Sequence, residues 1–454
     1  MGNLFGSLLG SAGALRVFEQ AMSVAQNNVA NSSTPGYVKQ RLDLAAMSFH
    51  PEAGLAGGVT VAARSNARAG FAEVSVRQQQ ELYGRASQQV LALSRIEPLF
   101  PVQGGAGIPH ALDQLFQSFS GLTVTPNDPG ARQIVLERAA GFVRSVNHAA
   151  AGLGEAGNSI NRDARDTVAQ INDIANRLQA LNVQRRQSYL SGNDAGLEAR
   201  TYALLESLAE LVDFTVLHQE DGTLSVYLGG MTALVMGEVS YPLQADFSGP
   251  QIEIRDAMGQ NVTAHIQRGK LAALIDVKNN LIPAYSAELD RLAAAVADRI
   301  NATLADGVDS AGQTPATPMF SYDPVIGAAQ TLTLNALEPG DIAAALPAAP
   351  GGNGNALRLA ALAGSIEIDG MTFSGFYGSV AARIGRHLDT AREDAATHRQ
   401  LLVQSRVLRE ELSAVSLDEE AARIIEFQRA YQAAARVFSI LNEMAETVIH
   451  MGRR

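Results

Sequence analysis

The stretch VANSSTPGYV, residues 29–38, closes one pattern and opens another. Upstream of its end, Leu4, Leu8, Ser11, Leu15, Phe18, Met22, Ala25 and Val29 step by four and three, the heptad seam of one narrow helical face. Pro35 then disfavours helix at Thr34, and Pro35-Gly36 fits the two central positions of a type II turn, where glycine supplies the positive φ. Beyond it, Val38, Gln40, Leu42 and Leu44 alternate with Tyr37, Lys39, Arg41 and Asp43, which predicts an extended arm with one buried face. Helix, fixed turn and arm follow one another within the first 44 residues.

The other end carries a matching seam. Leu417 precedes Ile424, Phe427, Tyr431, Ala434, Phe438, Leu441, Ala445 and Val448, again at steps of three and four. A single such stripe is ordinarily core; two at opposite ends of one chain predict terminal helices that pair with each other and with neighbouring subunits. The packing residues expected there are Leu8, Leu15, Phe18, Met22, Val29, Ile424, Phe427, Tyr431, Phe438, Leu441 and Val448. Gly2, Gly6, Gly10 and Gly13 each cost about 1 kcal/mol relative to Ala in a helix, against roughly 1.5–3 kcal/mol for burying one Leu or Phe. The N-terminal helix is therefore expected to fray in the isolated subunit and to order when its seam meets a partner.

Between the ends, helix formers run from Gly70 to Leu93, with a break at Glu97-Pro98 and the glycines near 104. Further helices are predicted over 111–122, 129–153, 159–189 and, after the polar SGNDAGLEAR loop, through Leu211; Asn127-Asp128-Pro129 has the form of a helix start. From about Asp213 to His265, short apolar runs punctuated by Asp-Gly, Gly-Gly and Gly-Glu predict hairpins. Helical pattern returns over 269–304 and 377–412, and Ser416 with Asp418, Glu419 and Glu420 reads as a capped helix start whose acids suit the helix dipole. Residues 305–356, rich in Ala, Gly, Pro and Thr, read as a small insertion or a flexible excursion. The fold class expected is mainly α with a smaller β-containing outer region and nested domains. An inner domain (1–65 and 413–454) is built from coiled-coil-like terminal helices, and a helical middle domain from 66–213, 269–304 and 376–412. A β-rich outer domain spans 214–268, with an insertion at 305–375.

Composition narrows the function. Lys and Arg total 35 against 46 Asp and Glu, a net charge of -11, which argues against nucleic acid and anionic membrane surfaces as targets. The absence of cysteine removes disulfides, thiolate zinc sites and cysteine nucleophiles together. The eight histidines form no HExxH and no i, i+4 pair, and Gly269-Lys270 fails the phosphate-loop pattern at both ends. No GxSxG occurs, and the carboxylates do not gather into a recognisable pair. The reading is therefore of a protein without catalytic residues, cofactor or metal. The first basic residue, Arg16, lies behind the apolar N-terminal stretch, so a cleaved signal peptide is not expected, and no stretch reaches the roughly 18 apolar residues of a membrane span.

These same residues carry a resemblance. NNVANSSTPGYVKQRLDL, residues 27–44, resembles the N-terminal signature of bacterial flagellar axial proteins, which assigns signature positions to Asn31, Thr34, Pro35, Gly36 and Tyr37. SAVSLDEEAARIIEFQRAYQAAARVFSILNEMAETVI, residues 413–449, is similar to the end of the hook-associated junction family, and residues 269–301 resemble its middle. The resemblance implies a structural, non-enzymatic protein of the extracellular flagellum, exported unfolded without a cleaved signal peptide. It also implies as partners the hook protein, a second hook–filament junction protein, identical subunits in a ring, and an export chaperone at the C-terminal helix. The alternatives are a rod or hook subunit and, from other classes, a secreted cell-wall-active enzyme or an adhesin.

Overall fold

The computed structural model describes residues 2–50, 55–102, 105–188 and 194–451. The chain opens with helix α1 (Gly2–Ala30), followed by strands β1 (Gln40–His50) and β2 (Leu55–Asn66). Helices α2 (Gly70–Ile96), α3 (Gly107–Val124), α4 (Pro129–Ser188) and α5 (Ala195–Leu211) come next. Six short strands follow: β3 (Phe214–His218), β4 (Leu224–Leu228), β5 (Thr232–Met236), β6 (Val239–Ser240), β7 (Gln244–Asp246) and β8 (Glu253–Arg255). The remainder is α6 (Gly269–Asp276), α7 (Ile282–Ala305), β9 (Phe320–Ser321), α8 (Ala328–Thr331), β10 (Thr333–Leu334), α9 (Gly354–Ala361), α10 (Phe373–Ser413) and α11 (Leu417–Met451). The break near Gly104 and the loop from 191 fall partly outside the described residues. The mainly helical class and the pairing of long terminal helices, α1 on α11, are as the seams predict.

Two elements depart from the local reading, each for a packing reason. The two helices expected over 129–153 and 159–189 are one 60-residue helix. Two glycines near the expected gap are contact points: a Cβ at Gly152 would lie 2.6 Å from Leu99, and one at Gly157 would lie 3.0 Å from Lys278 Nζ. The arm after the turn is one half of an antiparallel hairpin, with Gln40 opposite Asn66 and Met47 opposite Gly58. This hairpin packs on α1, where a Cβ at Gly10 would lie 3.1 Å from the Gly57 carbonyl. At that position glycine's helical cost is offset by close approach, and the structure holds Gly2–Ala30 as one continuous helix.

The residues divide into two compact units. Unit 1 comprises 1–81, 171–242 and 398–454, and unit 2 comprises 82–170 and 243–397; α2, α4 and α10 contribute to both. In unit 1 the four-stranded meander β3-β4-β5-β6 is held to α4 by Asn182, which donates to the Leu224 and Gly237 carbonyls at 2.8 and 2.6 Å and accepts from the Leu224 N–H. Hairpin β7–β8 belongs to unit 2, where Asn279 exchanges two hydrogen bonds with the Ile252 backbone. Asn279 sits in a wide π-type turn, Val277–Leu281, just ahead of Pro283, which cannot donate to a regular helical ladder.

Unit 2 has a closed aromatic core. Phe142 meets Phe320 edge-on at 6.2 Å, Phe116 stacks on Phe373 at 6.1 Å, and Tyr285 shares a 2.6 Å hydrogen bond with His387. The region after 305 is no loose excursion. Met319, Phe320, Leu332, Ala343, Ala344 and Leu359 are fully buried, and buried Arg132 donates to the carbonyls of Pro126, Gly340 and Ile342.

Candidate assembly site at the paired chain ends

The turn forms as its residues dictate. Gly36 has φ +75°, and the Tyr37 N–H donates to the Thr34 carbonyl at 3.1 Å. Asn31 finishes α1 by donating to the carbonyl and the side-chain oxygen of Asn27, at 3.0 and 2.7 Å, while the Thr34 hydroxyl donates to Asn31. The outward side chains of Thr34 and Pro35 are exposed, and Tyr37 is half-buried. At the far end the Glu419 N–H reaches the Ser416 hydroxyl at 3.4 Å, so α11 begins on the expected cap.

These two ends meet in a buried polar clasp. Asn28, fully enclosed, uses every donor and acceptor of its amide: it donates to the Gln40 carbonyl at 2.9 Å and to Glu420 Oε2 at 3.0 Å, and it accepts from the Gln40 N–H and the Tyr37 hydroxyl, each at 2.9 Å. Lys39, also buried, pairs with Glu419 and lies 3.3 Å from Glu420 Oε1, an ion-pair contact without a directed hydrogen bond. The Lys39 N–H donates to the Ser413 carbonyl at 3.0 Å, tying the arm to the segment just before α11. Hydrogen bonding to Lys39 holds the Glu419 carboxyl below the usual carboxylate range, whereas burial, and then the Glu420 charge, push the Tyr37 phenol up to about 12. A buried carboxylate, ammonium and amide that meet in this way favour one register for the helix pair.

The seam residues are distributed more subtly than their spacing suggests. Leu8, Leu15, Phe18, Met22, Ile424, Phe427, Phe438 and Leu441 are half-buried, while Val29, Tyr431 and Val448 are exposed. The positions of α1 that close completely are Val17, Ala21, Ala25 and Asn28. Small side chains at the contact let neighbouring backbones approach, and the larger ones flank it. On α11, Glu420, Ile424, Phe427, Ala434, Phe438, Leu441 and Ala445 fall on the covered face. Sequence reasoning placed Glu420 only among the acids of a first helical turn and Lys39 only in the arm's alternation, and it did not single out Asn28. Asn28 was detectable, since it continues the step of four and three after Ala21 and Ala25 where a seam would demand an apolar residue.

Among the described residues a second stripe on α11 stays largely exposed. Val437, Ile440, Met444, Val448 and Met451 recur at steps of three and four, with Ile440 57% and Met451 68% exposed. On α1, Phe5 and Leu9 lie one turn apart, 50% and 72% exposed. Among the described residues no group of acids, histidines or cysteines could hold a metal, and no helix is long and apolar enough to cross a membrane.

Comparison with known proteins agrees with this geometry. Residues 93–320 match the flagellar hook-associated protein FlgK helical domain, and residues 406–451 match the flagellar basal body rod FlgEFG protein C-terminal domain. The chain is 25% identical to flagellar hook-associated protein 1 of Bacillus subtilis over 96% of both chains. It is also 25% identical to the protein of that name from Salmonella typhimurium, over 66% of this chain and 56% of the relative. The flagellar hook junction protein FlgK from Burkholderia pseudomallei shares the fold, with a TM-score of 0.65 over 75% of this chain and all of that one at 17% identity. A match over half the chain to one family's own helical domain, between terminal helices of the flagellar axial type, settles membership: the chain belongs to the flagellar hook-associated protein FlgK family.

Proposed function

We propose that this protein is a structural subunit of the bacterial flagellum at the junction of hook and filament, assembled into a ring of identical copies through its terminal helices. The observation that carries the reading is the uncovered stripe Val437–Ile440–Met444–Val448–Met451 on a helix whose other face is already occupied by α1. A helix with two apolar faces and one intramolecular partner gains by burying the second against a neighbour. The subunit acts outside the cell by contact alone, without catalysis. Its neighbours are the hook protein below, a second junction protein above, and copies of itself alongside. Before export, a chaperone covering α11 would keep the stripe from aggregating.

The match of residues 406–451 to rod proteins favours one competing reading, a rod or hook subunit. A strain lacking the gene separates the two. Intact hooks without filaments, with filament protein shed into the medium, are expected at the junction. Loss of the hooks themselves would move the protein to the rod or hook, and motile filaments would refute both.

A further inference from the structure

The signature turn joins α1 to the arm and by itself could swivel, yet it is docked. Its backbone lies against α5 so closely that a Cβ at Gly36 would sit 2.4 Å from the Ala199 carbonyl oxygen. We propose that Arg68 is the positioning residue for this joint: its guanidinium clamps the turn onto α5 and α2 and thereby sets the direction in which the α1–α11 pair leaves the rest of unit 1.

Arg68 lies between the end of β2 and the start of α2, with its side chain 5% exposed. Its Nη2 donates to the Gly36 carbonyl at 2.8 Å, its Nε donates to Glu198 Oε1 on α5 at 3.0 Å, and its Nη1 pairs with Glu73 on α2. The guanidinium carbon stands 3.7 Å from the centre of the Tyr202 ring, also on α5. Asn66 holds the same Glu198 carboxylate from the other side, with 2.8 Å to each oxygen. Beyond Glu73 the network continues through Arg409 to Glu206, which Arg406 also holds, so α10 is joined to the same set. A planar fork with donors in fixed directions can serve a carbonyl, two carboxylates and an aromatic face at once; a lysine ammonium cannot.

Two fastenings therefore divide the work. Asn28, Lys39 and Glu420 hold α1 to α11, whereas Arg68 holds the turn to α5. Losing the second leaves the helix pair intact but free to change its angle. Its importance for assembly rests on the junction reading, since subunits that close a ring must present their helices at one angle; the local geometry does not.

The chain has no cysteine, so spin labels can be placed at will. Labels at Ser23→Cys on α1 and Ser207→Cys on α5 report the angle, and labels at Ser23→Cys and Gln432→Cys report the helix pair. Both are read by pulsed dipolar spectroscopy on the unassembled full chain, which keeps the result independent of whether the protein builds a junction. In the native background both distance distributions are expected to be narrow. Arg68→Lys, which keeps the charge and removes the fork, is expected to widen the α1–α5 distribution at least twofold while the α1–α11 distribution stays narrow. Gly36→Ala, which lifts the turn from α5, is expected to widen the same distribution as a control for docking itself, and Arg68→Gln, which removes the fork and the charge, decides the matter if Arg68→Lys does not fold. An unchanged α1–α5 width overturns the proposal, as does equal widening of both distributions, which would indicate general loosening.

Discussion

Helices α7 and α11 show two ways of handling apolar surface. Of the 24 residues of α7 in unit 2, ten are buried, from Ile282 and Tyr285 to Thr303 and Leu304, whereas of the 35 residues of α11 only Glu420 and Ala445 are. The contrast does not come from polarity, because α11 carries Ile424, Ile425, Phe427, Val437, Phe438, Ile440, Leu441 and Met444. It comes from supply of neighbours: α7 is enclosed by its own unit, whereas among the described residues α11 packs mainly on α1 and leaves a second apolar face exposed. Unit 2 closes an aromatic core within itself, while the terminal pair keeps apolar surface in solvent.

Four substitutions and one titration can break or sharpen that contrast. Phe142→Ala, in the closed core, should remove about 3–5 kcal/mol from unit 2, measured by denaturant unfolding; a loss below about 1 kcal/mol would mean that the core is not closed. Glu420→Ala leaves Lys39 and Asn28 buried with fewer partners, and should cost on the order of 3 kcal/mol. That loss should be local, seen as faster amide exchange over residues 17–30 with unit 2 unchanged. Phe427→Asp places a charge on the covered face of α11, at about 2 kcal/mol by the usual price of a polar group poorly solvated. It should leave unit 2 folded and prevent incorporation into the junction ring, and a strain carrying this variant that still assembles motile filaments would contradict the pairing.

The titration concerns Tyr37. Because its folded pKa is raised, the native state holds the proton more tightly than the unfolded chain does. The contribution is thus complete below the ordinary tyrosine value of about 10 and is lost as pH rises towards about 12. Alkaline release of the clasp, followed by amide exchange at Asn28 and Gln40, should be weaker in Tyr37→Phe. Ile440→Asp should have the smallest effect on the lone chain, within about 0.5 kcal/mol, because the site is already wet. The same change should abolish assembly. Equal incorporation of Ile440→Asp and the native protein would show that the exposed stripe is ordinary surface.

Much of this arrangement is legible residue by residue. The Pro35-Gly36 turn follows from the fixed φ of proline and the positive φ of glycine, and the start of α11 follows from Ser416 and the acids after it. The returning strand β2 was not foreseen, since its glycines interrupt the alternation that marks a strand, and those glycines are where the hairpin lies on α1. Helix α4 reads locally as two helices, 129–153 and 159–189, and the close approaches of Gly152 to Leu99 and of Gly157 to Lys278 are contacts no local window contains. The alanine-rich stretch after 305 lacks periodicity because it is held by single buried residues such as Phe320, Leu332, Ala343 and Ala344 rather than by one long element.

Periodicity, turn chemistry and capping act over a few residues, and so the chain's own order of amino acids dictates the terminal seams, the joint between helix and arm, and the mainly helical class. Which face of each seam closes, and what locks it, depends on groups remote in sequence: Asn28 and Glu420 are 392 positions apart, and Arg68 meets Glu198 across 130. Such pairs leave no local signature because neither partner's backbone preference changes when the other is present. Their energy appears only once folding has removed both from water and aligned them, and at that point a lone buried charge becomes costly and a matched one becomes specific.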